Sequence, residues 1–352
     1  MNFHRKNIIV TGGLGFIGSN LAIRLVELGA RVTIVDPRIQ GCGGNLYNIA
    51  PVASEVGIVP HSIGETGNLL TILRSCDLIF NLAGEISHIH SMVLPERDLQ
   101  INTLDQMRFL QACVDCAPGI RILYAGTRQV YGVPEYLPVD EQHPVNPVDF
   151  NGVHKYAATQ YHLMLSRTGH LDAAVLRLTN VYGPRIALDV PCQGFLSTYL
   201  RKALTGQTLE IFGDGRQLRD PVYVDDVVEA MVRVAAADRL RSRSYNVGGP
   251  EPLSMADVAA ATARAAGAPE PVFRDFPEER KGIDIGSYYT DSTLLREHFD
   301  WRARTRFDEG VALTLAYCRE HLPHYLDPND PNPTCKLTHK SARERAGAPA
   351  AV

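Results

Sequence analysis

A short apolar segment that leads directly into three evenly spaced glycines is the feature that most limits how this chain can fold. Asn7–Thr11 predicts a buried β-strand, and Gly12, Gly15 and Gly18 follow it just before a helical pattern begins. Glycine allows a tight turn and a close approach of the backbone to a ligand, while the start of a helix presents free N–H groups and a positive dipole end. A strand, a glycine turn and a helix in this order predict a binding site for the pyrophosphate of a dinucleotide.

The end of the second predicted strand indicates which dinucleotide binds. Asp36 stands there, where an acidic side chain accepts hydrogen bonds from the ribose hydroxyls of the adenosine. Its negative charge disfavours a 2′-phosphate, so the sequence predicts NAD, and the nearby Arg38 leaves NADP as the alternative. Phe16 and Ile17, inside the glycine turn, are predicted to contact the same cofactor.

The following segments alternate between short apolar runs and amphipathic ones, which predicts strands and helices in turn. The predicted strands are 7–11, 31–36, 78–82, 121–125 and 173–178. The predicted helices are 17–28, 69–74, 100–116, 153–168, 195–204, 225–236 and 255–266. Strands separated by helices predict an α/β fold of the Rossmann type, in which a doubly wound parallel sheet carries helices on both faces.

A change in this alternation after about residue 180 predicts where the domains divide. Residues 1–180 are predicted to form the dinucleotide-binding domain. Glycine- and proline-rich turns predict that residues 181–326 form mainly a smaller C-terminal α/β lobe, which holds the substrate. Residues 327–352 are proline-rich and then basic and alanine-rich, so they have little to bury and are predicted to be a disordered tail.

Composition argues against several other classes of protein. The chain has 352 residues, with 35 Lys and Arg against 39 Asp and Glu, and this near-neutral charge gives no electrostatic reason to expect nucleic acid or an anionic membrane as a partner. No apolar run approaches the roughly 20 residues of a membrane span, and the apolar stretch after the basic N-terminus is too short for a signal peptide. Seven scattered cysteines, an odd number, predict reduced thiols and a cytoplasmic protein.

Six further motifs accompany the glycine turn, at residues 81–84, 130–132, 176–185, 211–215, 219–227 and 245–249. Together they resemble the extended short-chain dehydrogenase/reductases, and among these the NAD-dependent sugar-nucleotide epimerase/dehydratase family, from about Asn7 to about Leu322. The resemblance implies bound NAD with Leu82, Ala83 and Gly84 beside it, and a nucleoside-diphosphate sugar as the substrate. It also implies a homodimer formed through the helices at 100–116 and 153–168.

The catalytic residues of that family are the part that this sequence alters. The family uses a Ser or Thr together with a Tyr and a Lys four residues apart on one helix, where the Lys stabilises the phenolate so that it can act as a base. Thr127 and Lys155 match, but Asn151 takes the place of the Tyr, and an amide is neither an acid nor a base near neutral pH. Three explanations stay open: another group supplies the base, the protein binds its ligands without catalysis, or the alignment is shifted and a nearby tyrosine serves.

The candidates for a replacement base are Glu85, His88, His154 and Tyr156. Glu85 is favoured because it follows the end of the predicted strand at 78–82, beside the expected nicotinamide, where a partly desolvated carboxylate can accept a hydroxyl proton. The alternative role for Glu85 is a simple hydrogen bond to the sugar or to the backbone. His154 is adjacent to Asn151 on the helix surface, and Tyr156 points about 100° away from Lys155.

The resemblance also places the substrate. Arg219 and Arg280 correspond to arginines that bind the nucleotide diphosphate, and Asn180 to a side chain that donates to the sugar or its phosphate. His88 lies in a segment similar to the substrate loop of the family's dehydratases. His88 and His90 have no third ligand in the sequence, so no metal site is predicted.

Two positions indicate the reaction. The family's dehydratases carry an Asp-Glu pair after the Ser or Thr, which moves the protons of water elimination, whereas this chain has Arg128 and Gln129. Epimerisation requires only that one carbinol is oxidised, the ketone turns over and the hydride returns to its other face. The predicted function is therefore 4-epimerisation of a nucleoside-diphosphate hexose. A dehydratase, oxidase or decarboxylase of the same family, and an inactive subunit that binds NAD and a sugar nucleotide, are the alternatives.

Overall fold

A computed structural model describes residues 2–39, 42–190, 194–240 and 243–327 of the chain. Thirteen strands lie within these ranges: β1 Asn7–Thr11, β2 Arg31–Val35, β3 Gly57–Val59, β4 Leu78–Asn81, β5 Arg121–Thr127, β6 Asp172–Leu178, β7 Val181–Tyr182, β8 Glu210–Phe212, β9 Leu218–Arg219, β10 Val222–Tyr223, β11 Ser244–Val247, β12 Leu253–Ser254 and β13 Val272–Arg274.

Seven of these strands form one parallel sheet in the order β11-β6-β5-β4-β1-β2-β3. In register, Asn7 of β1 pairs with Arg31 of β2, and Ile8 pairs with Leu78 of β4. The order reverses between β1 and β4, which is where open parallel sheets bind ligands. The predicted doubly wound α/β fold of the Rossmann type is confirmed.

Twelve helices lie within the same ranges: α1 Phe16–Glu27, α2 Leu70–Ser75, α3 His88–Val93, α4 Pro95–Leu99, α5 Asp105–Cys116, α6 Phe150–Arg167, α7 Phe195–Leu204, α8 Val224–Ala236, α9 Met255–Ala266, α10 Glu278–Lys281, α11 Thr293–Phe299 and α12 Phe307–Glu320. A π-helical segment, Gln100–Leu104, joins α4 to α5.

Helices cover both faces of the main sheet, because its inner strands present apolar side chains on both sides. On one face, Leu25 of α1 and Met231 of α8 pack in the core that includes Trp301. On the other face, Leu73 of α2 and Phe109 of α5 are fully buried in a second core. A parallel sheet covered in this way presents its strand ends to a ligand.

A smaller lobe is built on the carboxyl-terminal part of the chain. Leu200 of α7, Val258 of α9 and Leu315 of α12 are buried together in its core. The parallel pair β13 and β8 and the antiparallel pair β12 and β9 lie in the same part of the chain.

Several elements differ from the sequence expectations. The strands β3 and β11 were not predicted, and the predicted helix at 100–116 consists of the π-helical segment followed by α5. Because β11 pairs with β6, the chain returns to the main sheet after residue 181. The predicted tail at 327–352 lies outside the described residues apart from Asp327.

Within the described ranges, no helix combines the length and the apolar character that crossing a membrane requires.

Candidate cofactor and active site

A cavity of about 340 Å³ lies at the carboxyl ends of β1, β2, β4, β5 and β6. Most of the predicted site residues line it together: Gly12, Gly15, Phe16, Ile17, Gly18, Asp36, Leu82, Ala83, Gly84, Glu85, His88, Thr127, Asn151, Lys155 and Asn180. His154 and Arg219 do not line this cavity. Arg280 belongs to α10, and its side chain lies outside the described residues.

The glycine turn forms one wall of the cavity with its backbone. Gly12 has a φ of +65°, and a Cβ atom at this position would lie 2.9 Å from the carbonyl oxygen of Leu82. A Cβ atom on Gly18 would overlap the carbonyl oxygen of Gly12. Since side chains at Gly12 and Gly18 would distort the turn, only glycine leaves a backbone surface that a pyrophosphate can approach.

Asp36 is held in place at the end of β2. Its Oδ2 accepts a hydrogen bond from the N–H of Leu14 at 3.1 Å, and its Oδ1 accepts one from the N–H of Arg38 at 2.8 Å. Burial raises the pKa of the Asp36 carboxyl group, and these two N–H groups act in the opposite direction. The carboxylate is thus positioned on the cavity wall, whereas Arg38 is exposed and does not line the cavity.

Thr127 and Lys155 lie on the wall formed by β5 and α6. The Oγ1 atom of Thr127 accepts a hydrogen bond from the N–H of Gln129 at 3.2 Å, which caps a 3₁₀ turn over Arg128–Tyr131. Lys155 is buried, and a Cβ atom on Gly84 would lie 2.8 Å from its Nζ, so glycine there leaves room for the ammonium group. Burial lowers the pKa of Lys155, and the negative charges of Asp98 and Glu85 oppose that shift.

Asn151 is used structurally. Its Nδ2 donates to the carbonyl oxygen of Glu85 and to Oδ2 of Asp98, both at 2.9 Å. The other carboxylate oxygen of Asp98 lies 2.8 Å from Nδ1 of His154. His154 is therefore paired with a buried carboxylate behind the cavity wall, which gives it no contact with a ligand in the cavity.

Glu85 already has charged and polar partners. Its Oε2 lies 3.5 Å from an Arg97 guanidinium nitrogen and 3.4 Å from Sγ of Cys42. Burial and the neighbouring Glu85 raise the pKa of the Cys42 thiol to about 12, so the thiol is neutral and donates its proton to the carboxylate. Asn102 fixes the Glu85 backbone by bonding both its N–H and its carbonyl oxygen.

A histidine and a carboxylate meet at another part of the cavity wall. Nδ1 of His88 lies 3.1 Å from Oδ2 of Asp149, whose side chain is almost completely buried. Nε2 of Gln129 lies 2.9 Å from the same His88 nitrogen and 3.3 Å from the same Asp149 oxygen. Burial raises the pKa of Asp149, but the hydrogen bond and charge of His88, together with the hydrogen bonds from Gly152 and Gln129, outweigh it, so the net shift is downward.

Arg128 and Arg219 bring positive charge towards the smaller lobe. The Arg128 guanidinium carbon lies 4.8 Å from the ring centre of Tyr288, and one of its nitrogens lies 3.5 Å from Oδ1 of Asn180. Burial, and then the positive charge of Arg128, lower the pKa of Arg219 to about 10. Neither arginine has an acidic side chain within 4.0 Å among the described residues, so this pair of buried cations suits an anionic ligand.

Three features of the cavity fit a bound dinucleotide. The backbone of the glycine turn is open where a Cβ atom would block it, Asp36 stands at the end of β2, and Gly84 leaves space beside Lys155. The first turn of α1 would hold the pyrophosphate, and Asp36 the adenosine ribose. NAD, when bound, supplies a reversible acceptor for a hydride.

A model of the NAD dependent epimerase/dehydratase family matches residues 8–248, so the chain belongs to this family and uses NAD. A UDP-glucose 4-epimerase of Mycolicibacterium smegmatis is 33% identical over 315 residues, which are 88% of this chain and 98% of that protein. The crystal structure of UDP-glucose 4-epimerase from Thermotoga maritima with UDP-glucose is 28% identical, with a TM-score of 0.81 over 90% of this chain and 99% of that one.

The structure of dTDP-glucose 4,6-dehydratase from Streptomyces venezuelae, which contains NAD, is 26% identical, with a TM-score of 0.80 over 91% of this chain and 98% of that one. Two of these three relatives are epimerases and the third is a dehydratase, and all three are named for nucleotide sugars. The comparisons therefore define the family and the cofactor, and the reaction depends on the residues of the cavity.

Sequence reasoning did not find three polar groups of this site, namely Asp98, Arg97 and Asp149. Asp98 lies 53 residues from Asn151 and Asp149 lies 61 residues from His88, so no local motif connects either pair. A weak signal existed for Asp149, since an Asp shortly before a predicted helix is typical of an N-cap. In the described part of the chain, no group of three or more His, Cys, Asp and Glu residues is arranged to hold a metal ion.

Proposed function

We propose that this chain is an NAD-dependent sugar-nucleotide epimerase that inverts C4 of a nucleoside-diphosphate hexose. The observation that carries the proposal is the cavity itself, in which the glycine turn and Asp36 share one space with Thr127 and Lys155. A cofactor cradle and a carbinol-binding pair in one cavity suit a reaction in which a sugar carbon is oxidised and then reduced again.

The proposed roles follow from position and chemistry. The hydroxyl of Thr127 binds the reacting sugar hydroxyl, and the ammonium group of Lys155 binds the nicotinamide ribose and favours loss of a nearby proton. Asn180 donates to the sugar or its phosphate, and Arg219 and Arg280 bind the diphosphate. Asn151 and His154 shape the wall through their shared partner Asp98.

Glu85 fits a substrate-binding role. Its carboxylate lines the cavity and lies 3.5 Å from an Arg97 guanidinium nitrogen, and it can accept a hydrogen bond from a sugar hydroxyl. Replacing Glu85 with Gln keeps the size of the side chain and removes the ion pair, so we expect a higher KM with a kcat that changes less. A large loss of kcat in E85Q would instead assign the base to Glu85.

Two residues argue against dehydration. Water elimination needs an acid to protonate the leaving hydroxyl and a base to remove the adjacent proton. Gln129 is a neutral amide, and Arg128 stays protonated, so neither can exchange a proton with a sugar under ordinary conditions. An epimerase has no such requirement.

The second candidate function is a binding subunit without catalysis, and the geometry of Asn151 favours it. Its amide nitrogen is committed to Asp98 and the Glu85 backbone, and this leaves the usual base position of the family without a titratable group. Such a protein would hold NAD and a sugar nucleotide and leave both unchanged. The described cysteines are free thiols, in keeping with a proposed cytoplasmic location.

One experiment separates these functions. The purified protein is incubated with UDP-, dTDP-, GDP- and CDP-sugars and the mixtures are followed by NMR. An epimerase gives two epimeric sugar nucleotides at equilibrium without net formation of NADH. Release of a keto-deoxy sugar indicates a dehydratase, release of CO₂ a decarboxylase, and binding without turnover of any sugar leaves the binding subunit.

A further inference from the structure

The missing phenol leaves the site without an evident group to take a hydroxyl proton, but the cavity wall contains a histidine that the proposed roles do not use. His88 begins α3 and lines the cavity, and its side chain is about one third exposed. It has a suitable chemistry, because an imidazole exchanges protons near neutral pH.

Asp149 determines which nitrogen of His88 is available. With its proton on Nδ1, His88 donates to the Asp149 carboxylate at 3.1 Å, and the Gln129 amide donates to the same carboxylate oxygen. Nε2 is therefore the nitrogen left for a ligand in the cavity. A carboxylate that accepts the Nδ1–H bond keeps a lone pair on Nε2 and stabilises the imidazolium that forms when Nε2 is protonated.

Asp149 is itself fixed on both oxygens. Its Oδ1 accepts the N–H of Gly152 at 2.7 Å and so caps the start of α6, while its Oδ2 contacts His88 and Gln129. The helix that carries Lys155 thus also fixes the partner of His88. One rigid element sets the positions of both groups relative to the cavity.

We propose that the His88 imidazole, positioned by Asp149, is the acid–base group that replaces the family's tyrosine; this inference rests on the proposed function. Oxidation of a sugar carbinol removes a proton from the oxygen and a hydride from the carbon. Nε2 of His88 takes the proton as the hydride passes to NAD, and the carbinol becomes a ketone. Return of the hydride to the other face and of the proton from Nε2 to the oxygen restores the carbinol with inverted configuration.

The other candidates are less suitable in this structure. The Glu85 carboxylate is paired with Arg97, so a proton on it would cost the ion pair. His154 does not line the cavity, because Asp98 holds it behind Asn151. Tyr156 does not line the cavity either.

The charged groups on the elements around His88 are of both signs. Asp149 contacts it directly, and Glu85, Arg128 and Lys155 line the same cavity. Arg97 and Asp98 lie on α4, which packs against α3. Of these, only Asp149 lies within hydrogen-bond distance of the imidazole in the described structure.

Two substitutions test the inference in the full-length protein. His88→Gln keeps a hydrogen-bonding group but cannot take a proton, so we expect kcat to fall by about 10²- to 10⁴-fold with KM within a few-fold. Asp149→Asn keeps the helix cap, because Asn is an equally good N-cap residue, and removes the charge. The exposed His170 gives a control, since His170→Gln is expected to leave the rates unchanged.

The decisive readout is pH dependence. A base acts when unprotonated, so kcat/KM rises with pH as His88 loses its proton. In D149N the loss of the carboxylate disfavours the imidazolium, and the midpoint of that rise moves to lower pH by about one unit. The NMR signal of the His88 imidazole is identified by its absence from spectra of H88Q. In a titration without substrate, we expect the midpoint of this signal to lie at lower pH in D149N than in the wild type.

Each outcome has one meaning. If the wild type epimerises a sugar nucleotide and H88Q does so within threefold of its rate, His88 is not the acid–base group, although the proposed function stands. An unchanged imidazole titration in D149N also overturns the assignment. If the wild type turns over no sugar nucleotide, the proposed function fails and this inference fails with it.

Discussion

The amide of Asn151 donates to two oxygens, those of the Glu85 backbone and the Asp98 side chain, and has almost no exposed surface. At the scale of single residues, these contacts give Asn151 a structural role in the packing of the cavity wall. A phenol in its place would need new space and would leave Asp98 without one of its donors. A tyrosine introduced at position 151 would therefore disturb the packing and is not expected to act as the family's catalytic base.

We expect Asn151→Tyr to lower the free energy of unfolding by about 1–3 kcal/mol, which is typical of overpacking, without raising the epimerisation rate. Urea unfolding and the NMR assay measure the two effects. Asn68→Tyr is the matched control, because Asn68 is exposed and a change there is expected to cost within about 0.5 kcal/mol. A faster N151Y enzyme would contradict this account of the site.

Asp220 provides a prediction about pH. Burial raises its pKa to about 7, although its Oδ2 accepts the N–H of Thr290 at 3.0 Å. In an unfolded chain the pKa of an aspartate is about 4, so between about pH 4 and 7 the folded state holds a proton that the unfolded state has released. Raising the pH through this window is therefore expected to lower the free energy of unfolding by about 2–4 kcal/mol through this group.

Asp220→Asn removes this dependence. The free energy of unfolding of D220N minus that of the wild type is expected to increase as the pH rises from 4 to 8. Urea unfolding of both proteins at several pH values gives this difference. Titrating groups that behave alike in the two proteins do not contribute to it. A difference that stays constant with pH would show that Asp220 titrates normally.

At the scale of elements, the start of α1 depends on glycine. A Cβ atom on Gly18 would overlap the carbonyl oxygen of Gly12, which belongs to the backbone and cannot turn aside. We expect Gly18→Ala to weaken NAD binding at least tenfold and to destabilise the fold by about 1–3 kcal/mol. Gly67→Ala is the control, since no atom lies within 4 Å of a Cβ atom there. Calorimetric titration with NAD and thermal unfolding are measured for both variants. Equal behaviour of G18A and G67A would be evidence against the glycine turn as the binding site of the pyrophosphate.

The strands that could be predicted from the sequence were those with long apolar runs. The ends of β1, β2, β4, β5 and β6 lie within two residues of the predicted ones, because each strand is buried on both faces. The strand β3 has only three residues and is largely exposed, so it leaves no apolar signal. The strand β11 is short and is followed by glycines, and its neighbour in the sheet is β6, far away in the sequence.

The same distinction applies to the site. The glycine turn and Asp36 could be located because a strand, a turn and a helix that are adjacent in the sequence form them. The contacts of His88 with Asp149, and of Asn151 with Asp98, join residues from separate elements and depend on how α3, α4 and α6 pack. No local pattern encodes such packing.

At the scale of the whole molecule, the exposed surface of α5 and α6 is the place where we expect a second copy to bind. Met107 on α5, and Val153 and Met164 on α6, are each close to half exposed, and the last two lie three turns apart on one face of α6. Light scattering is expected to give the mass of a homodimer. Introducing glutamate at Val153 and Met164 together should produce monomers.

The control for this prediction is Leu313→Glu, because Leu313 is equally exposed but lies on α12 in the smaller lobe. If V153E/M164E remains a dimer, or if L313E dissociates, the contact surface lies elsewhere.

The position of β11 at the edge of the main sheet has a consequence for dissection of the enzyme. The chain leaves the sheet after β6, builds part of the smaller lobe, and comes back to supply β11 before leaving again. A truncation at residue 180 would expose the edge of β6 and remove α8 and Trp301 from one face of the sheet. The two lobes are therefore interleaved in sequence, and we expect that neither would fold by itself when fused to another protein.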